Sequence, residues 1–475
     1  MTDTPLYDAY RRFLEDPATP FTVPGHKRNP DLADELLALD LPLYGAVEAL
    51  DGSTGILARA ERLAGELWGA DWAGFSVQGS SHGNMAIALT VARPGDKVVV
   101  ARTLHKSLFF GLVLAGLEPI WLRPDVDAET GLTAGMPAER VAAALDAHPD
   151  ARAVMLVEPS YVGGVSDVAT IADVAHARGI PLTVDAAWGA HLGFHPALPP
   201  HALMAGADAL VTSVHKHITG FTQSSMVLVQ RERIDLEHLE AAFEGLHTTS
   251  PSGGIMASID RARALLAERG AELLGVAIDE AERARERFRQ VEGLGVVGAE
   301  IAARNPGLLQ HDPTKIVLTL AGTGADGIAV GDVLEQRGIT LEFADRDTFC
   351  PVITLGDTPQ TIARMTDEII RAIEEHRGAP RAIVPLTAWT VDPVTAMSPR
   401  DAFFADHERV PAAQAVGRIA AESVVPYPPG IPALAPGEGV QGPGREALQA
   451  EAAAGTSIRY CGDPRLETVL VVREP

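Results

Sequence analysis

Cysteine is scarce in this sequence, and no hydrophobic run is long enough to cross a membrane. Only Cys350 and Cys461 occur among the 475 residues, so the sequence indicates neither a disulfide framework nor a cysteine-based metal site. We interpret both as free thiols in a reducing compartment. The longest apolar run, residues 108–117, is too short for a bilayer, and the first residues lack a signal-peptide pattern. We therefore expect a cytoplasmic protein with no membrane partner.

Basic residues are few relative to acidic ones. Lys and Arg number 39 against 63 Asp and Glu, which gives a formal net charge of -24. Binding along a nucleic acid needs a basic face, so we expect no nucleic-acid partner. Hydrophobic residues at 46% and charged residues at 21% are typical of a soluble globular enzyme. The length allows roughly two or three domains.

Apolar strand-like segments alternate with helix-like segments from near Leu57 onward. This alternation predicts an α/β fold with a mostly parallel sheet and helices on both faces, and the almost continuously apolar strands predict a buried sheet. Ligands of such sheets bind beyond the carboxyl ends of the strands. The predicted strands are residues 74–77, 97–101, 120–122, 153–157, 181–184, 209–211 and 226–229. The predicted helices are residues 58–68, 82–91, 106–115, 137–147, 168–177 and 201–205.

The rest of the chain is arranged around this sheet. The predicted divisions are an N-terminal arm at 1–60, a large domain at 61–300, a smaller α/β domain at 301–380 and a proline-rich C-terminal domain at 381–475. The further elements predicted are helices at 7–14, 254–291, 327–337 and 359–376, strands at 315–320 and 341–344, and turns at 24–27 and 51–55.

A lysine follows one predicted strand at the edge where ligands bind. The strand at 209–211 leads into Thr212-Ser213-Val214-His215-Lys216-His217. Burial there would lower the pKa of the Lys216 amine and leave it nucleophilic, as needed to hold an aldehyde cofactor. The strand at 181–184 leads into Asp185, an acid that could keep a pyridine nitrogen protonated. Lys216 alone would more often be a surface lysine, but its pairing with Asp185 favours pyridoxal 5′-phosphate.

Three further stretches follow predicted strands. Ser80 and Ser81 precede a helix, where hydroxyls and backbone N–H groups make an anion site, although a helix-capping serine explains one of them equally well. His105 could lie flat on a pyridine ring, yet a loop histidine is the more common reading. Ala187 is small enough for a flat ring to approach, and Trp188 could be simple packing.

Several motifs occur in a fixed order along the chain. They are residues 21–27 (FTVPGHK), 77–81 (VQGSS), 105–107 (HKS), 159–167 (PSYVGGVSD), 184–191 (VDAAWGAH), 213–216 (SVHK), 222–225 (TQSS), 248–251 (TTSP), 397–403 (MSPRDAF) and 417–430 (GRIAAESVVPYPPG). With these motifs the chain resembles the ornithine/lysine/arginine decarboxylases of pyridoxal-phosphate fold type I. It is similar to the short, biosynthetic arginine decarboxylase form without an N-terminal wing domain.

The resemblance implies a role for each motif residue. Lys216 would hold the cofactor aldehyde as a Schiff base, Asp185 would pair with the pyridinium nitrogen, and His105 would stack on the ring. The remaining implied cofactor contacts are Ala187 on the other ring face, Trp188 near the phenolic oxygen, Ser80, Ser81, Ser213 and His215 at the phosphate, and Thr248 and Thr249 reaching the phosphate of a neighbouring subunit. A homodimer or higher homo-oligomer with shared active sites is therefore expected.

The same resemblance implies the reaction. It is loss of the α-carboxylate of a basic L-amino acid as carbon dioxide, with arginine as first choice of substrate, then lysine, then ornithine. A basic side chain needs a carboxylate partner, for which Asp345, Asp347 and Glu422 are candidates, each with a structural role as the alternative. We favour Glu422, with His26 as a second substrate contact, and we expect no metal. Another fold type I activity, such as an aminotransferase or lyase, is the alternative function. A silent binding homologue is disfavoured because Lys216 and Asp185 are both present.

Overall fold

The computed structural model describes most of the chain. The described residues are 2–15, 21, 23–27, 29, 31, 39–41, 55–127, 129–382, 388, 391, 394–427, 430–453 and 455–474. The predicted turn at 51–55 lies outside them except for Gly55, as do Thr22 of the FTVPGHK motif and residues 428–429 of the last motif.

The strands of the described chain form one large sheet and several small ones. They are β1 Trp72–Ser76, β2 Lys97–Ala101, β3 Glu118–Leu122, β4 Val154–Val157, β5 Gly164–Val165, β6 Leu182–Asp185, β7 Ala209–Ser213, β8 Ser225–Val229, β9 Gly295–Val297, β10 Gln310–His311, β11 Val317–Thr319, β12 Phe343–Ala344, β13 Thr348–Cys350, β14 Val394–Thr395, β15 His407–Pro411, β16 Val425–Tyr427, β17 Glu438–Gly439, β18 Ser457–Arg459 and β19 Thr468–Val472. The large sheet has seven strands in the order β1-β8-β7-β6-β4-β2-β3. Only β8 in it runs against its neighbours.

Helices cover both faces of the large sheet, because its strands carry apolar side chains on both sides. Val99, Leu156 and Val184 pack in one core, whereas Val98 and Met155 pack in a second core on the opposite face. The helices of the described chain are Pro5–Glu15, Ile56–Trp68, Gly79–Val91, Lys106–Ala115, Ala138–Ala147, Val168–His176, Val214–His217, Leu236–Leu246, Gly253–Phe288, Glu300–Arg304, Gly327–Gln336, Pro359–Glu375, Pro399–Phe404, Ala412–Ala415 and Gly442–Ala453. This arrangement brings the carboxyl ends of β1, β2, β4, β6 and β7 to one edge.

The N-terminal helix packs against the long helix Gly253–Phe288. The backbone N–H groups of Leu6 and Tyr7 donate to the buried carboxylate of Asp260, at 3.0 and 3.2 Å. A helix N-terminus carries unpaired N–H groups and partial positive charge, so a carboxylate from another helix stabilises it there.

Two smaller regions follow the long helix. The first has an antiparallel sheet in the order β12-β13-β11-β9 and its own core, which includes Phe288, Leu318 and Ile369. The second consists of the antiparallel pairs β14–β17, β15–β19 and β16–β18, with a core that includes Val424 and Val471. Because Phe288 and β9 belong to the core and the sheet of the first region, that region begins before the predicted boundary at residue 301, and the domain divisions stay proposals.

Most of the predicted elements are confirmed to within a few residues. The helix predicted at 201–205 is wrong, since these residues form turns between Pro200 and Gly206, whose φ is +96°. The strand predicted at 341–344 is reduced to Phe343–Ala344, because only these two residues pair with β13. No helix within the described ranges is long and apolar enough to cross a membrane. Cys350 and Cys461 are both free thiols.

Candidate active site

The carboxyl ends of the parallel strands open into a cavity of about 810 Å³. Asp185 ends β6, and Lys216 follows the end of β7. Other walls come from Glu342 of the small α/β region and from Tyr427 and Tyr460 of the C-terminal region. Small-molecule sites in proteins have volumes of about 300–1,000 Å³, so the cavity is large enough for a cofactor together with a small substrate.

Lys216 lies in the short helix Val214–His217 directly after β7. The fully buried Val214 anchors this turn, and its N–H donates to the carbonyl of Ser224 at 3.0 Å. The Lys216 amine lies 4.1 Å from the centre of the Trp188 ring. Burial lowers the pKa of Lys216 to about 8, with Asp185 opposing this change and Lys315 adding to it. The amine is therefore far more available as a nucleophile than that of an exposed lysine.

A hydrogen-bonded chain connects Asp185 to His105. One oxygen of the buried Asp185 carboxylate accepts from the side-chain amide of Asn84 at 2.7 Å, and the other accepts from the N–H of Ala187 at 3.1 Å. Asn84 also donates to the hydroxyl of Ser107 at 3.0 Å, which lies 2.8 Å from Nδ1 of His105. That same Nδ1 accepts from the Ser107 N–H, so a neutral ring carries its proton on Nε2.

Asn84 was missed by the sequence analysis. The sequence does contain a clue to its role, because Asn84 is a polar residue on the buried side of the helix Gly79–Val91. Buried polar groups need partners, and the ends of neighbouring strands are where such partners lie.

The phosphate contacts predicted within one subunit, Ser80, Ser81, Ser213 and His215, all line the cavity. The hydroxyls of Ser80 and Ser213 lie 2.7 Å apart, although they are far apart in sequence. Gly79 has a φ of +69° and turns the chain from β1 into the helix that starts there. The first N–H groups of that helix have no partner within it, so they are suited to an anion. Ser81 and His215 complete this part of the wall.

An aromatic wall that the sequence analysis did not predict lies beside Lys216. The Tyr161 ring packs edge-on against Trp188 at 5.2 Å and lies 6.0 Å from Tyr427. The Tyr161 hydroxyl donates to the carboxylate of Glu342 at 3.2 Å. Tyr161 and Tyr427 belong to motifs noted above, but Glu342 carried no sequence signal because a loop near a short strand brings it to the cavity.

Glu422 lines the cavity, but its carboxylate is already engaged. Both oxygens pair with the guanidinium of Arg409, at 3.1 and 3.0 Å. They also accept from the N–H groups of Gly462 and Leu470, at 2.7 and 2.6 Å. These contacts favour the structural role for Glu422, and substrate contact stays a prediction.

The remaining residues predicted to contact substrate or cofactor do not line the described cavity. Asp345 accepts from two backbone N–H groups, and Asp347 pairs with Arg346 and Arg381 at 2.5 and 2.7 Å. His26 lies 3.4 Å from Asp40. The Thr248 N–H donates to the side chain of Gln78 at 2.8 Å, next to the phosphate turn, and Thr249 is exposed. Their roles toward substrate or a second subunit stay predictions.

Sequence comparison covers nearly the whole chain. The Orn/Lys/Arg decarboxylase major domain matches residues 4–361, and the C-terminal domain of that family matches residues 386–453. The chain belongs to the Orn/Lys/Arg decarboxylase family. Within this family, the arginine decarboxylase of Halalkalibacterium halodurans is 34% identical over 99% of this chain and 98% of its own length.

Solved structures agree with the fold of this family. The lysine decarboxylase LdcF of Francisella novicida superposes with a TM-score of 0.81 at 19% identity, covering 99% of this chain and 81% of that one. A Sphingomonas wittichii serine palmitoyltransferase superposes at 0.57 and 15% identity, over 79% of this chain and 84% of its own. The predicted fold, a mostly parallel sheet of fold type I followed by smaller C-terminal domains, is confirmed.

Proposed function

We propose that this decarboxylase-family enzyme uses pyridoxal phosphate to convert arginine to agmatine and carbon dioxide. The observation that carries the proposal is the placement of a depressed-pKa amine, Lys216, and a buried carboxylate, Asp185, in one cavity. Arginine decarboxylase relatives that align over almost their full length support arginine ahead of lysine and ornithine.

The donor set of the cavity fits pyridoxal phosphate. Lys216 would carry the aldehyde, and Asp185, held by Asn84, would keep the proton on the pyridine nitrogen. His105 and Ala187 would lie on the two faces of the ring, with Trp188 near the phenolic oxygen. The phosphate would lie on the hydroxyl-rich turn formed by Ser80, Ser81, Ser213 and His215. When bound, this cofactor accepts the electron pair that the departing carboxylate leaves behind.

The protein would supply binding and orientation. We assign the guanidinium of arginine to Glu342, because among the described residues this cavity-lining carboxylate forms no salt bridge and its hydrogen bond comes from the neutral Tyr161. Lys216 and Lys315 act on it only through their nearby charge.

A flat guanidinium stacks on aromatic rings more readily than an ammonium does, and one face of Tyr427 already carries the guanidinium of Arg459 at 4.7 Å. The rings of Tyr161 and Tyr427 therefore suit a guanidinium in this part of the cavity. The apolar and aromatic walls also exclude water, which strengthens the charged contacts inside.

The proposal includes a homodimer in the cytoplasm. Thr248 and Thr249 lie beside the phosphate turn at the protein surface, which suits a contact with the phosphate of a second subunit. Two free thiols suit a reducing compartment.

The test is amine and carbon dioxide release from arginine, lysine and ornithine with added pyridoxal phosphate. We expect agmatine from arginine, complete loss of it in Lys216→Ala, and an increase in KM of about tenfold or more in Glu342→Gln, because a charge-assisted contact is lost. Glu422→Gln is the matched control and should affect stability more than KM. A keto acid product, or no amine from any of the three, would contradict the proposal.

A further inference from the structure

Lys315 is a buried lysine that the proposed reaction does not use. It precedes β11, forms an isolated backbone bridge with Val352, and has no exposed surface. Among the described residues its amine has no hydrogen-bond partner. Burying an ammonium is costly, so other contacts must compensate for the missing hydrogen bond.

Lys315 and Lys216 contact the same indole ring. The Lys315 amine lies 3.7 Å from the centre of the Trp188 ring, and the Lys216 amine lies 4.1 Å from it. The two amines can therefore be no further apart than the sum of these distances. A cation over an aromatic face is attracted to it, so Trp188 stabilises Lys315 in place of a hydrogen bond.

The backbone around Lys315 leaves it little space. Gly163 has a φ of +91°, and a Cβ added there would lie 2.7 Å from the Cβ of Lys315. A larger residue at position 163 would therefore displace the lysine. The local packing therefore confines the first carbons of the Lys315 side chain, whose amine lies against Trp188.

A buried network adjoins Trp188, whose ring lies edge-on to that of His217 at 5.7 Å. His191 contacts Asp312 at 2.9 Å, and the ring of His217 stacks on His191 at 4.1 Å with only 17° between the planes. Lone pairs of imidazole nitrogens lie in the ring plane, so these parallel rings do not converge on one metal ion.

Burial by itself would raise the pKa of Asp312. The neighbouring His191 and the hydrogen bond from Thr314 have the larger combined effect, so the pKa of Asp312 lies below its ordinary value. Burial lowers the pKa of Lys315 as well, and the negative charges of Asp312 and Glu342 oppose that change and favour its charged form.

We propose that Lys315 is a positioning residue, whose buried charge acts on the Lys216 amine beside Trp188 and favours its neutral, nucleophilic form. The inference rests on the proposed function, because it concerns the amine that holds the cofactor. The ionisable groups that face the two lysines include Asp185, His105, His215, His217, Asp312, Glu342, Cys350 and Tyr161.

Electrostatics gives the direction of this effect. A second positive charge nearby disfavours the protonated form of an amine, most strongly where water is excluded. After burial itself, Asp185 raises the pKa of Lys216 whereas Lys315 lowers it. Removing the Lys315 charge should therefore raise the pKa at Lys216.

The test is a pH titration of the visible absorbance that pyridoxal phosphate gives when bound to a lysine, in the full-length holoenzyme without substrate. We expect Lys315→Met to move the midpoint to higher pH by about one unit, a tenfold change in the ratio of the protonated to the neutral form. Lys315→Arg, which keeps the charge, should restore the wild-type midpoint. Lys97→Met is the control, because Lys97 at the start of β2 pairs with Asp150 at 2.9 Å away from the cavity walls, and its loss should leave the midpoint in place.

The outcomes separate this inference from the proposed function. Wild-type protein that shows no such absorbance would overturn the cofactor assignment itself. Wild-type absorbance with an unchanged midpoint in Lys315→Met would overturn the role of Lys315 alone. If Lys315→Met binds no cofactor, the pH dependence of amine labelling at Lys216 in the cofactor-free chain replaces the titration. An unshifted labelling midpoint would then contradict the inference.

Discussion

At the residue scale, Asn84 is the connection between the predicted acid and the predicted ring-stacking histidine. Its amide donates both to Asp185 and to Ser107, and so fixes the carboxylate and, through Ser107, the tautomer of His105. A buried carboxylate that loses such a donor is less favourable in its charged form, which is the form that keeps a pyridine nitrogen protonated.

Asn84→Ala should therefore weaken pyridoxal phosphate binding by about tenfold or more, since a hydrogen bond to a charged group is lost. The measurement is cofactor affinity by fluorescence or absorbance titration. Asn305→Ala is the control, because Asn305 donates to the buried Asp127 at 2.8 Å in the same kind of pair away from the cavity. It should lower stability and leave cofactor affinity unchanged. Equal loss of affinity in both variants would contradict the role of Asn84.

At the element scale, the loop after β4 brings Tyr161 to the cavity wall. Buried Glu158 links the two ends of this loop, since it accepts from the N–H of Ser166 at 3.1 Å and from its hydroxyl at 2.5 Å. Burial raises the pKa of Glu158 to about 7, although Ser166 opposes this change. The folded protein therefore holds a proton at Glu158 that the unfolded chain releases near its ordinary pKa of 4.5.

Between about pH 4.5 and pH 7 the folded state binds this proton and the unfolded state does not. The free energy of unfolding therefore decreases as the pH rises through that range. Glu158→Gln mimics the protonated acid and should not share the loss, so its stability relative to wild type should improve by about 3 kcal/mol at most across that window. The measurement is the free energy of unfolding in denaturant at several pH values. Glu286→Gln, at an exposed site on the long helix, should show a constant difference. If the difference in unfolding free energy between Glu158→Gln and wild type also stayed constant with pH, Glu158 would not be the group that carries the extra proton.

At the scale of the whole molecule, a buried ion pair connects the C-terminal region to the large sheet. Arg102, just after β2, donates from both terminal nitrogens of its guanidinium to the carboxylate of Glu438, with the Nη2 contact at 2.8 Å. Its Nε donates to the carbonyl of Pro432 at 2.9 Å. Arg102 also lies over Trp121. Because Pro432 lines the cavity, this pair helps to place a cavity wall.

Glu438→Gln should destabilise the protein by about 3 kcal/mol or more, because it leaves the Arg102 charge buried without its counter-ion. The measurement is the midpoint of denaturant unfolding together with protease sensitivity of the C-terminal region. Glu66→Gln breaks an exposed pair with Arg62 and should cost less than about 1 kcal/mol. If both substitutions had the same small effect, Arg102 and Glu438 would not be a structural connection.

The sequence predicted the central sheet and the residues at its strand ends, because burial of continuous apolar strands and the position of their carboxyl ends are local properties. Asp185, Ser213 and Lys216 follow from this reasoning. Glu342 and Lys315 could not be found that way, since folding brings the small α/β region against the sheet. In the C-terminal region, β14, β16, β17 and β18 have only two or three residues each, too few to show the alternation that reveals a strand.

The most direct test of the central claim supplies arginine and lysine together at equal concentration to the holoenzyme and measures the ratio of agmatine to cadaverine. Both products form at the same cavity, so the ratio compares kcat/KM for the two substrates without dependence on enzyme concentration. The account predicts agmatine in excess by about tenfold or more, as expected for a carboxylate and aromatic wall matched to a guanidinium. Cadaverine in excess, or neither amine, would contradict it.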